Sequence, residues 1–293
     1  MSAQEVLKSA RHRNFLNMEL LRHWNLRERP FEATWDTRFF YAGPEHEEAL
    51  SRLLYLVSEA TMNLGLLTGE IGSGKTLTRA VFAGRIDATR FHVVTVENSG
   101  FPLEELLGSI LRRLDPQIHL NGEGKLARCE IFEQLVRKVN AGGHHLVLLL
   151  DEAQDMTPET IHELRWLTNF NGGGNSLLTL ILIGQPELRK MIVGDAAINQ
   201  RVSLRFHLKP LRADDMENYL RHRLRAAGHA TGNIFSPTAA IEIFNATHGI
   251  PREVNRLAKL ALEHAWVSEA AKVEASAVTA VVRDLERHQL IPA

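Results

Sequence analysis

The sequence predicts an α/β fold, a parallel sheet covered by helices on both faces, followed by an all-helical C-terminal domain. Three observations carry this reading. Apolar runs of strand length, at 64–67, 91–96, 145–150 and 177–183, alternate with amphipathic helical stretches. Most of these runs are continuously apolar rather than alternating, which is the pattern of strands buried on both faces of a parallel sheet. From about Leu211 onward the strand signals stop, and 212–227, 237–247, 251–270 and 274–289 all read as helices. The expected organisation is therefore an N-terminal helical extension over 1–24, an α/β domain over 25–210 and a helical domain over 211–293. A chain of 293 residues has room for these parts and for a substantial core.

In chain order, 1–24 is a mixed-charge stretch of helical character containing Leu7, Phe15, Leu16, Met18, Leu20 and Leu21. Trp24 to Phe31 reads as a loop anchored by aromatics. Gly43-Pro44 breaks the chain before a helix at about 45–60, with Ala49, Leu50, Leu53, Leu54 and Val57 along one face. The strand at 64–67 runs into a glycine-rich turn and a helix over 76–86. The strand at 91–96 is followed by amphipathic helices over 101–114 and 126–139, separated by the turn-rich 115–124. The strand at 145–150 ends in Asp151-Glu152-Ala153-Gln154. A helix over 158–169, the loop Asn171-Gly-Gly-Gly-Asn175 and the strand at 177–183 complete the α/β half.

Composition narrows the function classes. Hydrophobic content of 44% and charged content of 24% are those of a globular protein. A formal net charge of −1 argues against a protein that coats nucleic acid through bulk electrostatics. The single cysteine, Cys129, excludes an internal disulfide framework and a cysteine-rich zinc site. The longest apolar runs are far short of a spanning helix, and the N-terminus lacks the apolar core of a secretory signal. The expectation is a cytoplasmic protein without membrane insertion.

The chemistry sits at the ends of the strands. Gly69-Glu70-Ile71-Gly72-Ser73-Gly74-Lys75-Thr76, followed by Leu77, fits the G-x-x-x-x-G-K-[ST] phosphate-binding loop. Its glycines let backbone N–H groups turn inward around phosphates, Lys75 reaches the β- and γ-phosphates, and the Thr76 hydroxyl ligates Mg²⁺. The helix that follows presents its positive end to the same anion. ATP and Mg²⁺ are the cofactors this implies. Asp151-Glu152, closing an apolar strand, supplies the complement: the aspartate helps hold Mg²⁺, and the glutamate orients or deprotonates the attacking water. Gln185, in Gly184-Gln-Pro-Glu-Leu188, is placed to hydrogen-bond the γ-phosphate or that water. Arg201, with Arg205 as its rival, is a candidate to reach a neighbouring subunit's site and stabilise the transferring phosphoryl group. Arg252, at the start of a helix in the C-terminal domain, is a candidate γ-phosphate contact.

Together these residues resemble the AAA+ ATPases, and within them the secretion-pathway A-protein (ExeA-like) family and its pilus-biogenesis relatives. The resemblance rests on Trp24-x-Leu-x4-Phe31, Arg38-Phe-Phe-Tyr41, the 47–54 helix, Gly69 to Thr76, Asp151 to Gln154, Gly184-Gln-Pro-Glu-Leu188, Gln200-Arg201, Leu208-Lys-Pro-Leu211 and Gly249-Ile-Pro-Arg252. It covers about residues 24–265 and implies a sheet core with a helical lid. It further implies nucleotide bound between the two, arginine supplied in trans within a ring or filament, and Asn98 as a polar switch that holds the catalytic glutamate. Secretion proteins of this family are usually longer, with a membrane span and a cell-wall-binding domain after the ATPase; the short pilus-type relatives are closer in length. The implied function is an oligomerising ATPase that assists secretion or pilus-type assembly, working on a protein partner. The alternative is a DNA-bound regulator resembling transposition ATPases, which oligomerise on duplex DNA and recruit a transposase. For DNA, the candidate contacts are Arg112-Arg113, Lys125 with Arg128, and the cluster Arg221-His222-Arg223-Leu224-Arg225. A slow nucleotide switch acting as a scaffold is the third class, against which Asp151-Glu152 argues.

Overall fold

The computed structural model describes residues 16–59, 61–120, 122 and 124–288. The chain divides into two compact units, Pro44–Lys209 and the pair Met1–Gly43 with Pro210–Ala293.

The first unit is the α/β core. Helix α1 (Pro44–Ser58) begins at the expected proline and buries Ala49, Leu50, Leu53, Leu56 and Val57. Strand β1 (Leu64–Gly69) is buried along its whole length and leads through the glycine-rich turn to α2 (Lys75–Arg85). Then come β2 (Phe91–Val96), α3 (Leu103–Leu114), α4 (Lys125–Ala141) and β3 (His145–Leu150). Helix α5 (Pro158–Leu164) has Thr157 as its N-cap, accepting from the Thr160 N–H. Strands β4 (Asn171–Gly172) and β5 (Asn175–Ser176) precede β6 (Leu178–Gly184), α6 (Pro186–Gly194), α7 (Ala196–Asn199) and β7 (Leu204–Leu208).

The main sheet has the order β2-β3-β6-β1-β7, with every pairing parallel. The chain leaves β1 for the far edge, returns through β3 and β6, and then places β7 on the other side of β1. All five strands thus end on one side, and the crevice outside those carboxyl ends, where the connections diverge, is where open α/β sheets bind ligands. Leu66, Leu148, Leu150, Leu180 and Leu182 pack with Leu106, Ile110, Phe132 and Val136 of the covering helices in one core.

Three features depart from the sequence reading. The helix expected over 158–169 stops at Leu164, and a short 3₁₀ turn occupies Leu167–Asn169. The expected loop at 171–175 is a two-stranded hairpin, since Gly173 and Gly174 take φ of 61° and 86° at its turn. The edge strand β7 was not foreseen.

The second unit gathers α8 (Ala213–Ala226), α9 (Pro237–Thr247), α10 (Pro251–Val267) and α11 (Ala275–Arg287), as expected of the C-terminal half. Residues 16–23, also helical, join them. The expected boundary between 24 and 25 does not coincide with the division of contacts, because Trp24, Phe31 and Phe39 are buried with Met216, Leu220 and Ile243. Arg223 explains the anchoring. Only 3% exposed, it donates from Nε to the Pro30 carbonyl (2.7 Å) and from Nη2 to the Glu32 carbonyl (2.8 Å), and it stacks on Phe39. Leu20 is buried here while Leu16 and Met18 are exposed; Leu7 and Phe15 lie outside the described residues. No described helix is long and apolar enough to cross a membrane.

Candidate functional site

The phosphate loop is built where buried β1 must turn abruptly into α2. Gly72 and Gly74 adopt φ of 83° and 95°, a region that side chains disfavour. Gly74 is the N-cap and supplies no side-chain cap to α2, so the leading N–H groups of the helix are left for an anion. Lys75 is 7% exposed, and its Nζ donates to the carbonyls of Gly69 (2.7 Å) and Glu70 (2.9 Å). The ammonium is thereby held inside the loop. Ser73 is fully buried, and Thr76 is half-buried one residue after Lys75. His46, from α1, closes the back of the loop: its Nε2 lies 3.3 Å from the Ser73 carbonyl oxygen and 3.2 Å from where a Cβ on Gly74 would stand.

Strand β3 delivers Asp151 and Glu152 to the same end of the sheet. The Asp151 N–H donates to the Val96 carbonyl (2.9 Å), extending the β2–β3 pairing by one residue. Asp151 is buried; its Oδ1 accepts the Glu152 N–H (3.0 Å), and Oδ2 lies 3.0 Å from Nε of buried Arg79. Burial pushes the Asp151 carboxyl up from its ordinary range, while Arg79 and, more weakly, Lys75 pull it down. Arg79 also reaches Glu97 at 3.2 Å, so one arginine of α2 ties together the ends of β2 and β3. The Ser99 hydroxyl donates to the Asp151 carbonyl at 2.6 Å. Glu152 itself sits at φ 51° and ψ 39°, a strained left-handed conformation for a residue with a side chain.

The register brings Gln185 into the same region. Thr68 of β1 is opposite Gly184, and Leu150 of β3 is opposite Leu182, so the end of β6 stands between the phosphate loop and the acidic pair. Gln185 is half-buried there and forms the N-cap of α6.

Asn98 behaves differently from the expectation. It is exposed and its Oδ1 accepts the Gly100 N–H (3.2 Å), a local turn two residues on. The Glu152 carboxylate is instead held by Gln154, whose Nε2 donates to Oε2 at 2.8 Å.

Arg201 and Arg205 lie at the opposite end of the sheet from the loop. Leu204 pairs with Gly65 and Leu208 with Gly69, and the Ser203 N–H donates to the Leu64 carbonyl, so Arg201 is beside the start of β1. Arg201 donates to the Ala197 carbonyl (2.8 Å), and Arg205 to the Asn199 carbonyl and side chain. Arg252 is the exposed second residue of α10 in the helical unit. Within the basic cluster 221–225, Arg223 is an internal strut and not a surface contact, Arg221 pairs with Glu217 and Asn233, and exposed Arg225 donates to the Thr231 carbonyl. Lys125 pairs with Glu163, and Arg128 donates to the Glu104 carbonyl at 2.8 Å.

The donor set fits the cofactors named above. A hydroxyl, Thr76, and a buried carboxylate, Asp151, suit Mg²⁺, which takes few protein oxygens and completes its shell with phosphate and water. His46, Arg79, Ser99 and Gln154 were missed in the sequence. Gln154 stood inside a recognised motif; the others carry no local signal.

Residues 59–192 match the family model of the AAA domain. Over 252 residues the chain is 32% identical to the general secretion pathway protein A of Aeromonas hydrophila, covering 85% of this chain and 45% of that protein. The chain thus spans less than half the length of that relative. Among solved structures, the ORC2 protein of Aeropyrum pernix in its ADPNP-ADP complexes aligns with a TM-score of 0.65 at 19% identity, over 87% of this chain and 71% of that one. Cdc6p from Pyrobaculum aerophilum gives 0.59 at 20% identity, over 81% and 68%. The RuvB Holliday junction branch migration motor of Thermotoga maritima gives 0.51 at 18% identity, over 83% and 70%. With its phosphate loop, acidic strand end and sheet order, the chain matches the AAA domain over residues 59–192 and has the fold of the AAA+ ATPases.

Proposed function

We propose that this chain binds ATP with Mg²⁺, hydrolyses it, and oligomerises through ATP at the subunit interface to assist a secretion or pilus-type assembly. The observation that carries the enzymatic part is the convergence of a buried Lys75 in its loop with Asp151 and Glu152 at the carboxyl ends of one parallel sheet. The biological setting rests on similarity to a protein named for general secretion, of which this chain spans less than half.

The residues divide the work. Backbone N–H groups from Gly69 to Leu77 cradle the phosphates, and the Lys75 ammonium moves from the loop carbonyls to the β- and γ-oxygens. Thr76 and Asp151 would hold Mg²⁺, which would neutralise negative charge on the phosphates. Glu152 orients the attacking water and takes its proton. Gln185 contacts the γ-phosphate or that water, Arg252 is assigned a γ-phosphate contact, and Arg201 acts in trans. The alternative role on duplex DNA loses one of its candidate contacts, Arg223, which is buried, while Arg225 of the same cluster is exposed.

Measuring ATP turnover and binding of a fluorescent ATP analogue tests the proposal. Lys75→Ala should lose binding. Glu152→Gln should keep binding while turnover falls by about 10²–10⁴-fold, the usual worth of a general base. Wild-type turnover in Glu152→Gln would overturn the assignment.

A further inference from the structure

We infer that Gln154 is a positioning residue for hydrolysis, its side-chain amide clamping the Glu152 carboxylate to the backbone at the end of β6. The inference rests on the proposed role of Glu152 as the base, and extends it to how that base is held.

Three contacts converge on one amide. Nε2 donates to Glu152 Oε2 at 2.8 Å and to Asp155 Oδ1 at 3.2 Å, while Oε1 accepts the Gln185 N–H at 3.0 Å. Their chemistry fixes the orientation of the amide. Flipped, it would set its oxygen against two carboxylates and its NH₂ against a backbone donor, leaving all three contacts repulsive. Gly184 makes the approach feasible, because a Cβ there would stand 2.7 Å from Oε1 and 3.2 Å from the Gln154 backbone nitrogen. Glu152 also needs such a tether. Its left-handed backbone turns the chain sharply after β3, and an unheld carboxylate would sample several rotamers away from the water it must orient.

The clamp joins the base to the strand end that carries Gln185. A shift of the Gly184–Gln185 backbone when nucleotide engages Gln185 is passed through Oε1 to the carboxylate. A polar partner for the glutamate is thus supplied from within the same acidic motif, rather than by Asn98 at the end of β2.

Two variants separate this role from a merely structural one. Gln154→Leu removes every contact at similar volume. Gln154→Glu keeps an acceptor for the Gln185 N–H but faces Glu152 with a second carboxylate. If Gln154 positions Glu152, both should lose kcat by about tenfold or more, with KM for ATP and the thermal transition little changed. Full turnover in Gln154→Glu, or loss of ATP affinity in step with kcat, would overturn the inference. A readout independent of turnover is the carboxyl ¹³C resonance of Glu152, identified by its absence in Glu152→Gln. It should move in both Gln154 variants and stay in Asn98→Ala; an unmoved resonance in Gln154→Leu also overturns the inference. Absence of turnover in the wild-type protein would defeat the hydrolysis reading instead, and the resonance would still report whether the clamp exists.

Discussion

Arg79 and Asp151 bury opposite charges at the centre of the site, with side chains 6% and 3% exposed. A buried ion pair is weak evidence of net stabilisation, yet removing one partner strands the other charge and typically costs about 3–5 kcal/mol. Arg79→Leu should therefore destabilise the α/β unit by about that much. Arg79→Leu combined with Asp151→Asn should recover most of the loss, read by chemical denaturation. If the double variant were as unstable as the single one, the packing of the arginine stem, and not its charge, would be what matters. This level was only partly legible in the sequence. Lys75, Asp151 and Glu152 announce themselves because phosphate and metal chemistry demand those residue types at fixed spacing. Arg79 has no such spacing; it reads as one more polar residue of α2 until the fold brings β3 beside it. Asn98 shows the converse: a plausible residue in a plausible place, whose amide oxygen accepts from its own turn.

At the scale of elements, continuous apolar runs gave β1, β3 and β6 because those strands are buried on both faces. Strand β7 escaped because it is an edge, with Leu204, Phe206 and His207 half-buried and Arg205 exposed. The aromatic segment 24–31 was recognised as anchored, but periodicity cannot say against which unit. Strand β3 also opens on a titratable group. His145 is partly buried, within 2.8 Å of the Thr179 hydroxyl, and burial lowers its pKa from the ordinary value of 6.5. The folded protein then favours neutral imidazole, and below about pH 6.5 the unfolded chain binds more protons. Stability should fall as pH drops through that value, until the lowered folded-state value is passed. His222, also lowered by burial, acts with the same sign. The prediction is that His145→Gln flattens, without abolishing, the decline in denaturation midpoint between about pH 7 and 5. An unchanged slope would remove His145 from the account.

At the scale of the molecule, the sheet geometry bears on whether one chain completes its own site. Four register steps separate Leu204 beside Gly65 from Leu208 beside Gly69, roughly 13 Å of strand, and Arg201 lies three residues further from the phosphate loop. An arginine side chain does not span that distance, so any catalytic part for Arg201 has to be played in a neighbouring copy. This makes a complementation experiment decisive. Arg201→Ala keeps an intact loop and base but offers its neighbour no arginine; Glu152→Gln lacks a working base but presents Arg201. Each alone should turn over ATP slowly. Mixed in equal amounts under assembly conditions, about a quarter of head-to-tail interfaces pair a good base with a good arginine, and activity should rise above that of either protein alone. Activity that is merely the average of the two would mean that Arg201 is a solvated edge residue, and Arg205→Ala would then be the variant to mix.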